Sequence, residues 1–434
     1  MRDAERVGRW LVQNRIVAAT YTGRSEEADR LRIEQRLSSG GLKVVVATSA
    51  LGMGYDNPLI EFVVHFQAPG SPIAYYQQVG RAGRAVTRSV GVLLSGEEDG
   101  TIQDYFISTA FPSEEDTSRV LEALAQQSRT LTELEAVVNT QRSRMSTLLK
   151  VLEVEGAVYR EGSVWFRSGR RWTYPTDRVR AVTEARRREQ AAMRDYLSTD
   201  TCLMQYLRSE LDDPTAGACG QCTNCVGGPS LPASIDEGLR RAAMVFLRRS
   251  WIPIPPRKMW PPHLSGPSLR THGLEPGRAL CRWGDPGYGA MVAAGKYNTG
   301  RFADELVAAT VEMVRSWAPD PAPTWVCSVP NRSEPSIVAD FAARLARQLR
   351  LPYRPVIERV RAAQPQKGME NSYQQVRNQL GSLRVLDCPL GPVLLVDDLV
   401  DSRWTFTVVG ALLREVGVTA VYPCALADSS RSEA

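Results

Sequence analysis

Val44-Val-Val-Ala-Thr48-Ser-Ala-Leu-Gly52-Met-Gly54-Tyr-Asp56-Asn-Pro58 is followed a short way downstream by Tyr75-Tyr76-Gln77-Gln78-Val79-Gly80-Arg81-Ala82-Gly83-Arg84. The first stretch reads as a buried strand running into a glycine-rich turn, where the missing Cβ atoms let backbone approach a phosphate closely. The second sets two arginines three residues apart among glycines. Paired guanidinium groups suit the charge spread over a phosphoryl group in transfer. Around these stretches the pattern alternates. Ala4–Val12, Ser25–Leu37 and Ile73–Val79 have helical spacing, while Ile16–Thr20, Lys43–Ala47 and Phe62–Phe66 read as short buried strands. That rhythm predicts a parallel α/β sheet covered on both faces, extending to about residue 112.

The two stretches resemble motifs V and VI of superfamily 2 helicases, the second in the RecQ form. The likeness extends to Tyr21-Thr22-Gly23 and Val63-Val64-His65-Phe66. It implies a second RecA-like lobe in which Arg81 and Arg84 contact the γ-phosphate and Gln77 couples ATP to DNA. Thr48, Gly52, Gly54 and Gly80 line the nucleotide and DNA cleft, and Asp56 stands near the nucleotide. His65 reads either as a functional group or, more simply, as packing on a strand. No Gly-x-x-x-x-Gly-Lys-[Ser/Thr] occurs in the sequence, and Ala294-Gly295-Lys296-Tyr297 lacks both the first glycine and the hydroxyl. An Asp-Glu-x-His box for Mg²⁺ is also missing. The chain is therefore expected to begin partway into the second lobe. An arginine finger without a phosphate cradle cannot complete an ATP site, so ATP and Mg²⁺ are expected only with a first RecA-like lobe, missing or separate.

From 113 to 185 the character changes. Val120–Ala125, Leu131–Val138 and Met145–Val154 have helical spacing, and then Ala157–Arg160 and Val164–Arg167 flank Glu161-Gly162-Ser163. Helices followed by a small hairpin make a winged-helix-like pattern. Between Asn139 and Arg194 thirteen Lys or Arg stand against six Asp or Glu, whereas the whole chain is only +5. Such a block is a plausible nucleic-acid footprint, although the run Arg186-Arg187-Arg188 reads equally as a solvated helix face. Arg142, Arg144 and Lys150 are the candidate DNA phosphate contacts. Tyr159, Trp165 and Phe166 are candidates either for base stacking or for the module's core.

Cys202 precedes Cys219-Gly-Gln-Cys222-Thr-Asn-Cys225 by sixteen residues. Four thiolates satisfy a tetrahedral Zn²⁺ and leave no open position, which is a structural rather than a catalytic site. The spacing, within 186–228, resembles the RecQ zinc-binding subdomain. A Pro-rich linker or packed loop is expected over 229–276.

The βα rhythm then returns, with strands expected at Trp325–Val329, Tyr353–Ile357, Val393–Val396 and Ala420–Ala425. Val393-Leu-Leu-Val-Asp397-Asp398-Leu-Val-Asp401-Ser402-Arg403-Trp404-Thr405 is an apolar strand, two acids and a hydroxyl-rich turn entering a helix. Adjacent carboxylates suit ribose hydroxyls, and the helix N-terminus suits a phosphate. This resembles the PRPP motif of type I phosphoribosyltransferases. Cys327–Arg332 and Gln364–Asn371 are similar to the competence-protein-like branch of that family. The resemblance implies an α/β domain over 277–434 with Asp397, Asp398, Asp401, Ser402 and Thr405 at a PRPP-like site. Arg403, where that family has a small residue, leaves open a retained fold used for sensing, end binding or packing. The charged N-terminus, the absence of an apolar run of membrane length and the crowding of cysteines point to a cytoplasmic, zinc-binding, DNA-associated protein with no membrane partner.

Overall fold

The computed structural model describes residues 2–51, 55–96, 98–228, 231–232, 234–330, 336–361 and 368–430. Gly52, Gly54, Asn331, Arg332 and Gln364–Lys367 lie outside the described residues. The chain divides into two compact units, one of Met1–Ser113 with Thr173–Leu239, the other of Glu114–Trp172 with Arg240–Ala434.

The first unit opens α1 (Arg2–Gln13), β1 (Ala18–Tyr21), α2 (Glu27–Ser38), β2 (Val44–Ala47), β3 (Phe62–His65), α3 (Pro72–Val79), β4 (Val90–Leu93) and α4 (Glu98–Ser108). The alternation holds, but the expected single buried sheet does not. Among the described residues β1–β2 and β3–β4 are separate two-stranded parallel ladders. The strands are only half-buried, and alternate positions of the β3 run, Phe62, Val64 and Phe66, are 40%, 51% and 58% exposed. An apolar run indicates a strand able to be buried on both faces, without stating what covers it. Helix α3 starts where its sequence says it should. The Ser71 hydroxyl accepts from Ala74 N, and Pro72, which has no N–H to lose, occupies the first turn.

The second unit begins with α5 (Glu114–Gln126), β5 (Arg129–Thr130), α6 (Leu131–Val137), α7 (Arg142–Val154), β6 (Val158–Glu161) and β7 (Val164–Arg167). Three helices and an antiparallel sheet ordered β5-β7-β6 close on a core of Leu124, Leu134, Met145, Leu149, Leu152 and Trp165. A Thr130–Glu133 capping box starts α6, and Gly162, at φ +60°, makes the β6–β7 turn that a side chain would strain.

Helix α8 (Thr176–Ser198), with α9 (Leu203–Ser209) and the short α10 (Thr223–Val226), returns to the first unit. It runs unbroken through residue 185, where a boundary was expected. Met193, Tyr196 and Leu207 pack with Ala68 and Tyr75, so α8 and α9 brace α3.

The Pro-rich region is not a plain linker. It follows α11 (Glu237–Arg248) and contains β8 (Ile252–Ile254), an antiparallel edge strand on β9 (Gly277–Arg282). Proline sits there without cost because an edge strand leaves one row of N–H positions unpaired. Beyond it come α12 (Tyr288–Ala294), a single π turn over 295–299, α13 (Asp304–Trp317), β10 (Trp325–Ser328), α14 (Ile337–Leu349), β11 (Ile357–Arg359), α15 (Ser372–Gln379), β12 (Leu383–Val385), β13 (Val393–Val400), α16 (Trp404–Glu415) and β14 (Val421–Asp428). The sheet order is β10-β13-β14-β9-β8, parallel except at β8. One core holds Phe302, Phe341 and Leu345 against the sheet, and another holds Phe406, Val409 and Leu413. Both faces are covered, which is why β14 is buried along its whole length. The strand expected at 353–357 lies at 357–359 instead, leaving Tyr353 in an isolated bridge to Val326. Among the described residues no helix is long and apolar enough to cross a membrane.

Candidate functional site

Helix α3 ends at Gly80 and delivers the two arginines to residues 55 and 56. Arg81 donates Nη1 to the Tyr55 carbonyl at 2.6 Å, while its buried Nε has no partner. Arg84 pairs with Asp56 at 2.6 Å, the side chains being 45% and 71% exposed. Both guanidinium groups are thus engaged within their own domain, on Tyr55 and Asp56. The two engagements differ in kind. A pair as exposed as Arg84–Asp56 is worth ~1 kcal/mol or less and exchanges readily for another anion. Gln77 and Gly80 are exposed, and Thr48 is half-buried with its N–H on the Tyr21 carbonyl. His65 is packing: its Nε2 meets Gln78 Oε1 at 2.9 Å, its ring lies edge-on to Tyr75, and burial lowers its pKa.

The structure gathers all four cysteines. The sulfurs of Cys202, Cys219, Cys222 and Cys225 lie within 4.8 Å of one another. Tetrahedral Zn–S bonds of about 2.3 Å need sulfurs roughly 3.8 Å apart. Cys202 and Cys222 are at 3.9 Å, so the donor set fits. Backbone N–H groups already point at the sulfurs: Cys219 and Gln205 donate to Cys202 Sγ, and Gln221 and Cys222 donate to Cys219 Sγ. Burial opposes ionisation of Cys202, but the N–H groups of Cys219 and Gln205, with the thiols of Cys219 and Cys225, outweigh it and bring its thiol down to about 6.

In the helix-and-hairpin module, Lys150 is exposed. Arg142 is held by Glu135, and Arg144 lies 3.6 Å from Glu370. Trp165 is core, whereas Tyr159 is 43% exposed and stacked on Phe166. Arg187 reaches Asp104 from the exposed face of α8.

In the C-terminal domain Asp397 and Asp398 follow the fully buried run Val393–Val396 of β13, Asp398 itself being buried, while Asp401 is exposed and Ser402 and Thr405 are half-buried around the entry to α16. Burial, with Asp398 alongside, holds the Asp397 carboxyl well above its usual range. Asp398 is answered by Lys296 Nζ at 2.6 Å. Sequence reading missed this lysine, because 102 residues separate the pair and Lys296 stood out only as part of a failed phosphate-loop match. The π turn carrying it is the kind of irregularity that gathers at functional positions. Arg403 caps α16 at φ +69°, a backbone state suited to the small residue expected there. Residues from the Pro-rich region contact this loop and the helix start beside it. Arg257 donates Nε and Nη2 to the Ser402 carbonyl, its guanidinium lies 4.4 Å from the Trp404 ring centre, and Trp260 stacks on that ring.

Residues 2–86 match the helicase conserved C-terminal domain. The chain is 36% identical over 104 residues to the probable ATP-dependent DNA helicase RecS of Bacillus subtilis, covering 24% of this chain and 21% of that protein. It is 39% identical over 106 residues to the RecQ helicase of the same organism, covering 24% and 18%. A longer match, 28% identical over 239 residues, joins 51% of this chain to 46% of the Synechocystis RecQ helicase. Among solved structures, the C-terminal domain of the DEAD-box protein Dbp5 overlaps with a TM-score of 0.21 at 25% identity, over 24% of this chain and 64% of that one. Residues 2–86 thus match a helicase C-terminal domain, and the chain is similar in part to RecQ-like DNA helicases. The matched part is about a fifth of either Bacillus protein.

Proposed function

We propose that this chain is the C-terminal part of an ATP-dependent, RecQ-like 3′-to-5′ DNA helicase serving DNA repair or recombination. The observation that carries the reading is the Arg84–Asp56 pair, a solvent-exposed and exchangeable guanidinium at the end of α3 in a lobe similar to helicase lobes. On this reading Arg84 leaves Asp56 for the γ-phosphate when a first RecA-like lobe presents ATP and Mg²⁺. Arg81 holds the 55–56 segment in place, and Gln77 and Thr48 face the cleft. Cys202, Cys219, Cys222 and Cys225 hold a structural Zn²⁺ that fixes α9 and, through it, α3. The module at 114–172 is a winged helix that meets DNA through Arg142, Arg144 and Lys150. Since the 434 residues include no phosphate loop, this polypeptide hydrolyses no ATP unaided. DNA-stimulated ATP hydrolysis by the purified chain tests that directly, and sustained turnover would refute it.

A second reading is favoured by one observation, the Arg257 guanidinium bound to the Ser402 carbonyl of the 401–403 loop. It makes the C-terminal domain a phosphoribosyltransferase-like fold that binds DNA partners or senses a nucleotide without transferring a phosphoribosyl group. Calorimetry with PRPP and Mg²⁺ tests this reading against a working transferase, whose site would bind PRPP with Arg257 in place.

A further inference from the structure

The turn between α6 and α7 is gripped by the C-terminal domain within the same compact unit. Asn371, 3% exposed, donates Nδ2 to the carbonyls of Glu135 and Val138 at 3.0 Å each and, less closely, to that of Thr140 at 3.4 Å. Its Oδ1 meanwhile caps α15 by accepting from Gln374 N at 2.9 Å. Gln374 Nε2 donates to the Ala136 carbonyl at 2.9 Å. Asn139 donates to the Gly368 carbonyl at 2.7 Å and accepts from Glu370 N at 2.8 Å. The last carbonyls of a helix have no partner inside it, and here side chains some 230 residues away supply the donors.

The seam also sets the charge at the start of α7. Glu370, placed by the Asn139 contact, stands 3.6 Å from Arg144. Glu135, whose carbonyl Asn371 holds, binds Arg142 through its side chain. Both arginines that open the helix are answered by carboxylates, whereas Lys150 is exposed and among the described residues has no carboxylate partner.

We propose that this seam is a built-in brake on nucleic-acid binding, in which Glu370 and Glu135 occupy the guanidinium groups that DNA phosphates must claim. It rests on the reading that α7 faces DNA and adds to it the element that limits the contact. Displacing the half-exposed Arg144–Glu370 pair is a small barrier, whereas freeing Arg142 would strand Glu135, whose side chain is 10% exposed, so the brake tunes affinity chiefly through Arg144 and does not abolish it. Every arginine freed for a phosphate releases about one counterion, steepening the salt dependence by about 0.9 in log–log slope.

The test uses the full 434-residue chain, a forked DNA duplex and fluorescence anisotropy over about 50–200 mM salt. Glu370→Gln is expected to tighten binding about threefold to tenfold and to steepen the slope by about one. Asn371→Ala is expected to do the same and to speed hydrogen exchange at residues 135–140. If Asn371→Ala fails to fold, Glu370→Gln decides alone, since that side chain is 44% exposed. Unchanged affinity and slope in Glu370→Gln would overturn the brake, as would an equal gain from the exposed control Glu415→Gln. The double variant Arg142→Ala/Arg144→Ala separates the two claims. If it weakens binding while Glu370→Gln changes nothing, α7 meets DNA without a brake. If it leaves binding intact in the Glu370→Gln background, the reading of α7 itself is wrong.

Discussion

Arg84 and Asp397 carry the same lesson from opposite ends of the chain: spacing names a charged group, and only packing says what state it is kept in. The residues of the helicase-like motif, the four cysteines and the Asp397-Asp398 pair were all legible in the sequence. The pairings were not, because the fold joins Arg81 to Tyr55, and Lys296 and Arg257 to Asp398 and Ser402 from more than a hundred residues away. Asp397 gives a prediction with a definite sign. Its pKa is raised by burial and by Asp398, so its neutral form favours the folded state, and that contribution is lost as pH rises through the folded value. Asp397→Asn should therefore raise the melting temperature at neutral pH and change it little near pH 4, with the Oδ1 that accepts from Asp398 N retained. Lys296→Met should act the other way. It strands Asp398, whose side chain is 9% exposed, and costs about 2–4 kcal/mol by urea denaturation, at or below the usual loss when a buried pair is broken. At the neighbouring loop, Arg257→Ala removes the guanidinium from the Ser402 carbonyl. Calorimetry should then find PRPP–Mg²⁺ binding tighter than in the unaltered chain, and equal affinities would mean that Arg257 does not obstruct the loop.

Among elements, the helices were read closely and the strands less well. Ser71-Pro72 fixes the start of α3, and the Thr130–Glu133 box fixes that of α6, both through local chemistry that spacing reports. The β3 row of Phe62, Val64 and Phe66 could not be placed in the same way, since burial is decided by neighbours outside the strand. The 229–276 stretch misled because proline content signals a break in helix but does not forbid an edge strand such as β8. The four-cysteine cluster is the element whose proposed zinc is most easily tested. Metal analysis should find one Zn²⁺ per chain, and its removal by a chelator should release the α9 region to rapid hydrogen exchange while β13 and β14 stay protected. Metal-free protein with an undisturbed α9 would contradict that role. Because thiolates bind the metal and thiols do not, acid should release it as pH falls.

For the molecule as a whole, the sequence carried the α/β character of both ends and the cysteine cluster. It did not show that residues 114–172 fold into one unit with the C-terminal domain, or that α8 belongs with the lobe. Those facts rest on long-range contacts such as Asn371 on Glu135 and Met193 beside Tyr75. On the helicase reading the N-terminal lobe is half of a two-part ATP site, its exchangeable guanidinium, Arg84, supplied just beyond α3 and its phosphate cradle by another lobe. DNA-stimulated ATP hydrolysis is its most direct test, measured on this chain alone and on the chain joined to the first lobe of the Synechocystis RecQ relative. The account predicts no turnover alone, and in the joined protein a turnover that Arg84→Ala lowers by about 10³-fold. Hydrolysis by the chain alone, or joined-protein turnover indifferent to Arg84, would contradict it.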